Sequence, residues 1–402
     1  MSNPHKNIFY YYRGPSNRNS SNEDEIIYDK QIEDNTTKAF INCLECSSEN
    51  LLNYFLDYFK IEIKNTTTPQ FLLQVSIVKG RPDAVIKFVN SSIYIENKVS
   101  APVDKTQLTN HLKALNKNDL LLLITNNIQD NETVKDLDII YINWNEIYRC
   151  LKNYIPTNRN EKFLLEQFLN YLEVIGLSEF TGFSNDDFDF FINNIEDYKP
   201  IIRNKIEKFA NLVYESLNHE IKSVYIDKHL GIISKNPEVI WFGIRKNQKL
   251  KDVFKHCNFT IEIDADALRI YTVIRDGKYN QKKPIGILYK KIKNNYDEFL
   301  SLLKSLDNKY FFNISKRVPK TGKTIRPGNE KWILQSMLTL EIITDETIDY
   351  LLVLLKKIEF PGIHIGLIIK RGDKILQEPE KLIAVGKKVI EEEYKVLKFL
   401  ES

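Results

Sequence analysis

The chain has 402 residues, with 57 Lys and Arg against 54 Asp and Glu, 43% hydrophobic residues and 28% charged ones. This is a globular composition with length for two or three domains and ample core. No apolar run approaches the ~20 residues of a membrane span, and the opening MSNPHKNIFYYYRGP has no secretory apolar stretch. A membrane partner is therefore not expected, and a reducing cytoplasm is the expected setting.

Residues 16–31 (SNRNSSNEDE and beyond) read as a polar loop, with a helix starting near Asp34 or Asn35. Ala39, Phe40, Cys43 and Leu44 recur there at helical spacing. Cys43 and Cys46 lie in this helix with no second pair or nearby His, so they read as helix cysteines, not as a zinc site. A second helix is expected over 49–59. Three strands follow at 70–78, 84–89 and 92–99, separated by KGRP and NSS turns. A helix over 105–115, a buried strand LLLLIT at 120–125 and a strand DIIYIN at 138–143 come next, and Trp144-Asn145-Glu146 opens another helix.

This order predicts an α/β N-terminal domain, residues 1–155, with a mixed sheet flanked by helices. Residues 156–230 read as a helical linker and 231–402 as an α+β recognition or regulatory domain. In the last part, strands are expected at 239–244, 259–263, 267–274, 310–314 and 364–369, and helices at 296–306, 345–357 and 378–400.

Charge is uneven along the chain. Residues 1–155 carry 17 Lys and Arg against 19 Asp and Glu, and the remainder carries 40 against 35. Arg275–Lys293 and Lys309–Lys331 each hold seven basic residues and one acid. Such segments are either solvated loops or the footprint of a polyanion. Lys282, Lys283, Lys290, Lys316, Arg317, Lys320, Lys323 and Arg326 are the candidate phosphate contacts. The segment Lys320-Thr321-Gly322-Lys323-Thr324 lacks the earlier Gly of a phosphate-binding loop, because Arg317 stands in its place.

The stretch GRPDAVIKFVNSSIYIENKVSAP carries the chemistry. A strand has period two, so Tyr94, Glu96 and Lys98 share one face, and a hairpin partner could bring Asp83 beside Glu96. Two carboxylates that close repel, and a divalent cation removes the conflict. Lys98 can reach the same space. Asp/Glu-x-Lys occurs seven times in the chain. Only the copy at Glu96 follows an apolar strand, has an Asp on the preceding strand and leads into helix, strand and helix.

Pro82-Asp83 with Glu96-Asn97-Lys98 resembles the signature of the PD-(D/E)XK nuclease superfamily, over about residues 32–151. Glu33, Gln107 and the late strand ending in Trp144-Asn145-Glu146 agree with that pattern. The resemblance implies a restriction-endonuclease-like fold and Mg²⁺-dependent hydrolysis of phosphodiesters, with Mn²⁺ able to substitute. It implies Asp83, Glu96 and the Asn97 main-chain carbonyl as metal ligands, with Glu33 binding directly or through water. Lys98 would position or deprotonate water, and Gln107 would orient water or phosphate. Double-stranded DNA is the expected partner, a bacterial restriction or phage-defence enzyme the expected setting, and a homodimer one route to symmetric double-strand cutting.

Blander readings stay open at this point. Asp83, Glu96 and Lys98 could be a surface hairpin with a cross-strand salt bridge. Glu33 could be a helix N-terminal acid, Gln107 a solvated helix residue, His111 a surface histidine and Trp144 core. The rival functions are a nuclease of RNA or of branched or single-stranded DNA, a non-catalytic nucleic-acid-binding module, and a nuclease switched by a small-molecule sensor in its C-terminal part.

Overall fold

The computed structural model describes residues 7–10, 22–63, 68–78, 80–99, 101–126, 130–193, 199–231, 238–246, 257–274, 286–319, 330–358 and 361–401. The chain divides into two compact units, Met1–Glu179 and Phe180–Ser402.

The first unit opens with α1 (Asn22–Cys46) and α2 (Glu49–Tyr58). α1 begins twelve or thirteen residues before the expected start. The stretch EDEIIYDKQIED contains no Gly or Pro and holds three each of Glu, Asp and Ile, so nothing in it breaks a helix. Glu33 is therefore mid-helix and not an N-terminal acid.

Strands β1 (Gln70–Leu73), β2 (Ala84–Lys87) and β3 (Ser92–Lys98) form an antiparallel meander. β1 ends five residues earlier than the apolar pattern predicts, because Gln74 adopts a left-handed backbone with φ of 51° and turns the chain. After α3 (Lys105–Leu112), β4 (Leu120–Thr125) pairs with β3 in parallel. After α4 (Asp130–Val134), β5 (Ile140–Asn143) pairs in parallel with β4. The five-stranded sheet runs in sequence order, antiparallel in its first half and parallel in its second. This is the mixed sheet expected from the hairpin turns and crossover helices.

α5 (Trp144–Asn153) and α6 (Arg159–Val174) complete the unit. One sheet face, with Ala84, Ile86, Ile93, Ile95, Leu122, Ile124 and Ile142, packs on α1, α2, α5 and α6 in the larger core. The other face puts Leu121 and Leu123 against Leu108 of α3 and Val134 of α4. The even-numbered residues of β3 project onto this second, thinner side. That alternation decides where Glu96 goes.

The expected helical linker, 156–230, is shared between the units. α6 supplies Phe168, Tyr171 and Leu172 to the first core. α7 (Asn185–Asn193), α8 (Lys199–Ser216) and α9 (His219–Val224) belong to the second unit.

The second unit has a seven-stranded antiparallel sheet, ordered β11-β10-β12-β9-β8-β7-β6. Its strands are β6 (Asp227–Leu230), β7 (Val239–Arg245), β8 (Asn258–Asp264), β9 (Ala267–Ile274), β10 (Phe311–Pro319), β11 (Glu330–Thr339) and β12 (Pro361–Lys370). Helices α10 (Gly286–Asn294), α11 (Tyr296–Lys304), α12 (Asp345–Lys357) and α13 (Pro379–Glu401) accompany it. β6, β11 and α10 have no counterpart in the sequence reading. β6 is four residues, DKHL, without alternation. α10 falls in the basic segment Arg275–Lys293, and β11 begins where the basic segment Lys309–Lys331 ends. No described helix is long and apolar enough to cross a membrane.

Candidate active site

The site lies where β2 begins and β3 ends. Ala84 pairs with Ile95 across the hairpin, and the Asp83 N–H donates to the Ile95 carbonyl at 3.0 Å. One step further in this register, Asp83 stands opposite Glu96 on the α3 side of the sheet. The hairpin therefore brings the two carboxylates together, as the period-two argument requires.

Glu96 is 1% exposed, which removes the surface-hairpin reading. Its Oε1 is 2.8 Å from the Lys98 ammonium and accepts from Gln107 Nε2 at 2.7 Å. Its Oε2 lies 3.4 Å from His111 Nε2, within ion-pair range, but has no hydrogen-bond partner. Burial pushes this carboxyl up. His111 and Lys98 outweigh burial and hold it below its ordinary value of 4.5. Burial pulls the Lys98 ammonium down, but Glu96 outweighs that and keeps its pKa above 10.5.

Asp83 behaves differently. Burial comes first and Glu96 second, and together they push its carboxyl from 3.8 up to about 7. The Asn97 N–H, donating to Asp83 Oδ2 at 2.8 Å, and the Lys98 charge only partly offset them. The pair thus holds one ionised carboxylate and one that resists ionisation.

Asn97 faces the other way and ties three elements together. Its Nδ2 donates to the Glu33 carbonyl at 3.2 Å and to Thr37 Oγ1 at 3.1 Å, both on α1. Its Oδ1 accepts from Trp144 Nε1 at 2.9 Å. Trp144 is fully buried, as expected. α5 starts there because Asn143 and Glu146 form a capping box.

Glu33 Oε1 accepts from the Val99 and Ala101 N–H groups, at 2.9 and 3.1 Å. It anchors the chain leaving β3, and its charge also bears on Lys98. Asp34 accepts from Gln74 at 3.1 Å and adds negative charge near Asp83. Three carboxylates, those of Glu96, Glu33 and Asp83, thus bear on one ammonium.

Gln107 projects from α3 onto Glu96 and is not simply a solvated helix residue. His111 corrects the surface reading, since it is 1% exposed. The signal was present in the spacing: residues i and i+4 share a helix face, so a Gln107 aimed at Glu96 brings His111 with it. Gly80 permits the contact from the other side. A Cβ there would stand 2.6 Å from His111 Cε1, and its φ of 142° disfavours other residues.

The donor set fits a small hard cation. Asp83 and Glu96 offer carboxylate oxygens, and Glu96 Oε2 is buried without a hydrogen bond. Among the described residues, no group of three or more His, Cys, Asp or Glu side chains forms a metal-holding cluster. The protein's share would be two carboxylates, with water completing the shell, as Mg²⁺ accepts. Cys43 is buried and Cys46 exposed, and neither forms a disulfide.

The basic segments lie away from this constellation in sequence. Lys290 is exposed on α10. Lys316 is half-buried on β10, which runs on from the strand expected at 310–314 to Pro319, so this part of the basic segment is strand and not loop. Arg317, only 5% exposed, is not offered to a phosphate at the surface. Lys282, Lys283, Lys320, Lys323 and Arg326 lie outside the described residues.

No family model matches the chain, and a search of curated proteins finds no match.

Proposed function

We propose that the first unit is a Mg²⁺-dependent nuclease of the PD-(D/E)XK type acting on DNA. The observation that carries this reading is the buried carboxylate pair, Asp83 opposite Glu96, with Lys98 on the same face. The order helix, three-stranded meander, helix, strand supports it. A Mg²⁺ held there would supply Lewis-acid polarisation of the phosphate and a bound water of lowered pKa. Asp83 and Glu96 would hold it, and Mn²⁺ would substitute. Lys98, whose pKa is raised, is charged and cannot take a proton. Its role is then to position the attacking water and offset charge developing on the phosphate. Gln107 fixes the Glu96 carboxylate, and the Asn97 knot fixes β3 beneath it. Glu33 serves as an anchor for the strand end.

The non-catalytic alternative draws on the Lys98–Glu96 ion pair, which a purely structural site would also keep. The buried Glu96 Oε2 weighs against it, because that oxygen has the His111 ring at 3.4 Å but no hydrogen bond and so keeps an acceptor for a cation. Restriction or phage defence as the setting rests on the resemblance alone.

The test is incubation of the full chain with supercoiled plasmid and Mg²⁺, with single-stranded DNA and RNA in parallel. Nicking or linearisation that stops with excess EDTA and returns with Mn²⁺ is the expected outcome. Undiminished cutting in EDTA contradicts a metal-dependent mechanism.

A further inference from the structure

Between β1 and β2 the chain makes a second, smaller hairpin. The Ile77 N–H donates to the Gly80 carbonyl at 2.9 Å, and the Gly80 N–H donates to the Ile77 carbonyl at 3.4 Å. Val78 and Lys79 are therefore the two residues of the turn, and Lys79 lies outside the described residues. The root of this hairpin is the candidate site itself. The Gln74 N–H donates to the Asp83 carbonyl at 2.9 Å, and Gln74 Nε2 donates to Asp34 at 3.1 Å. Gly80 lies against the His111 ring. Pro82 is buried and stiffens the arm that returns to Asp83.

Val78 is 94% exposed, more than any other large hydrophobic among the described residues. A lone exposed apolar side chain is ordinary on a surface. Its place at a turn tip is not. Turns favour Gly, Asn, Asp, Pro and Ser, and two-residue hairpins favour Asn-Gly and its relatives. A β-branched residue there helps neither the turn nor the core. Local rules of this kind are broken where function asks for it. Arg81 is also exposed, and it makes no ion pair among the described residues. Residues 74–82 contain two cations, Lys79 and Arg81, and no acid. Asp34 and Asp83 stand at the root of the hairpin, not at its tip.

We propose that Val78 and Arg81 enter the major groove of duplex DNA beside the phosphate to be cleaved, Val78 against thymine methyl groups and Arg81 on an adjoining phosphate. The inference rests on the nuclease reading of the first unit. Val78 is five residues from Asp83, so it lies within about 18 Å of it even on an extended chain. That is about five base-pair steps. A duplex whose phosphate reaches Asp83 and Glu96 therefore passes the hairpin. The major groove admits a two-stranded ribbon, and the thymine methyl is the apolar group it displays.

The experiment measures binding of the full chain by fluorescence anisotropy, in EDTA so that cleavage plays no part. The probes are a labelled duplex rich in A·T pairs and the same duplex with uracil in place of thymine. The parent should bind the thymine duplex about fourfold more tightly, the worth of one buried methyl group. Val78→Ala should remove that preference. Arg81→Gln should keep it and lower the slope of log affinity against log salt by about 0.9, one phosphate contact. Both side chains are exposed, so neither change removes a core contact. Equal affinity of the parent for the two duplexes overturns the inference. So does a Val78→Ala protein that keeps the preference, or an Arg81→Gln protein with the parent's salt slope. A parent that prefers thymine but never cuts with Mg²⁺ keeps this inference and loses the catalytic reading. A parent that cuts without that preference loses this inference alone.

Discussion

Lys98→Ala is expected to slow DNA cleavage by about 100-fold or more, the scale set by losing one preorganised charge-stabilising group, while divalent-cation binding persists. The geometry separates the two effects. Lys98 contacts Glu96 Oε1 at 2.8 Å and is itself no metal ligand. Its removal leaves both carboxylates in place and frees an oxygen that the ammonium now occupies. Without metal, the variant should be less stable than the parent, because a carboxylate that is 1% exposed loses its nearest positive charge. Saturating Mg²⁺ should narrow that deficit. Calorimetric titration with Mg²⁺ and plasmid cleavage rates on the same preparation check both halves. Cleavage at the parent rate shows that β3 carries no catalytic lysine. The same change at Lys64 or Lys395, in other Asp/Glu-x-Lys copies, should have little effect.

The second large effect is on pH-dependent stability. The unfolded chain releases the Asp83 proton near 3.8, whereas the folded chain holds it up to about 7. Between those values the native state binds more protons than the unfolded state, so stability falls as pH rises. The limiting slope is about 1.4 kcal/mol per pH unit, reduced because Asp83 is partly exposed. Glu96 acts in the opposite sense. Its carboxyl is held below 4.5, so its contribution is present above that value and is lost only as pH falls further. Burial also raises the Glu262 and Glu393 carboxyls, so the share of the slope between pH 5 and 7 that belongs to Asp83 is the part that Asp83→Asn removes. Asp83→Asn should flatten the slope there and make the metal-free protein more stable than the parent at pH 8. Mg²⁺, which favours the ionised pair, should flatten the parent's slope as well. Urea unfolding at several pH values measures this directly. A parent slope that survives in Asp83→Asn assigns the proton to another group.

Much of this site is legible in the sequence because it depends on strand parity. Period two puts Glu96 and Lys98 on one face, and a short hairpin places Asp83 opposite, so three residues follow from spacing alone. Asn97 is harder to read. Its side chain points into the larger core, and its partners Thr37 and Trp144 are 60 and 47 residues away in the chain. No local pattern encodes that knot. His111 was within reach through its i+4 relation to Gln107, but burial depends on the loop at Gly80 closing over it. Glu33 was expected near a helix start, and only the extra turns of α1 reveal it as an anchor for the strand end. In the second unit, buried strands such as β9 show as apolar runs. The edge strand β6 does not, because three polar residues and Leu230, paired on one side, carry no alternation to detect.

The central claim is that Asp83 and Glu96 hold the cation that makes phosphodiester cleavage possible. The most direct test purifies the parent and Glu96→Gln identically and incubates both with supercoiled plasmid, with and without Mg²⁺. The account predicts that the parent cuts only with Mg²⁺, and that Glu96→Gln remains folded, keeps its oligonucleotide binding and does not cut. Equal Mg²⁺-dependent cutting by the two proteins, or no cutting by the parent on any nucleic acid with Mg²⁺ or Mn²⁺, would contradict it.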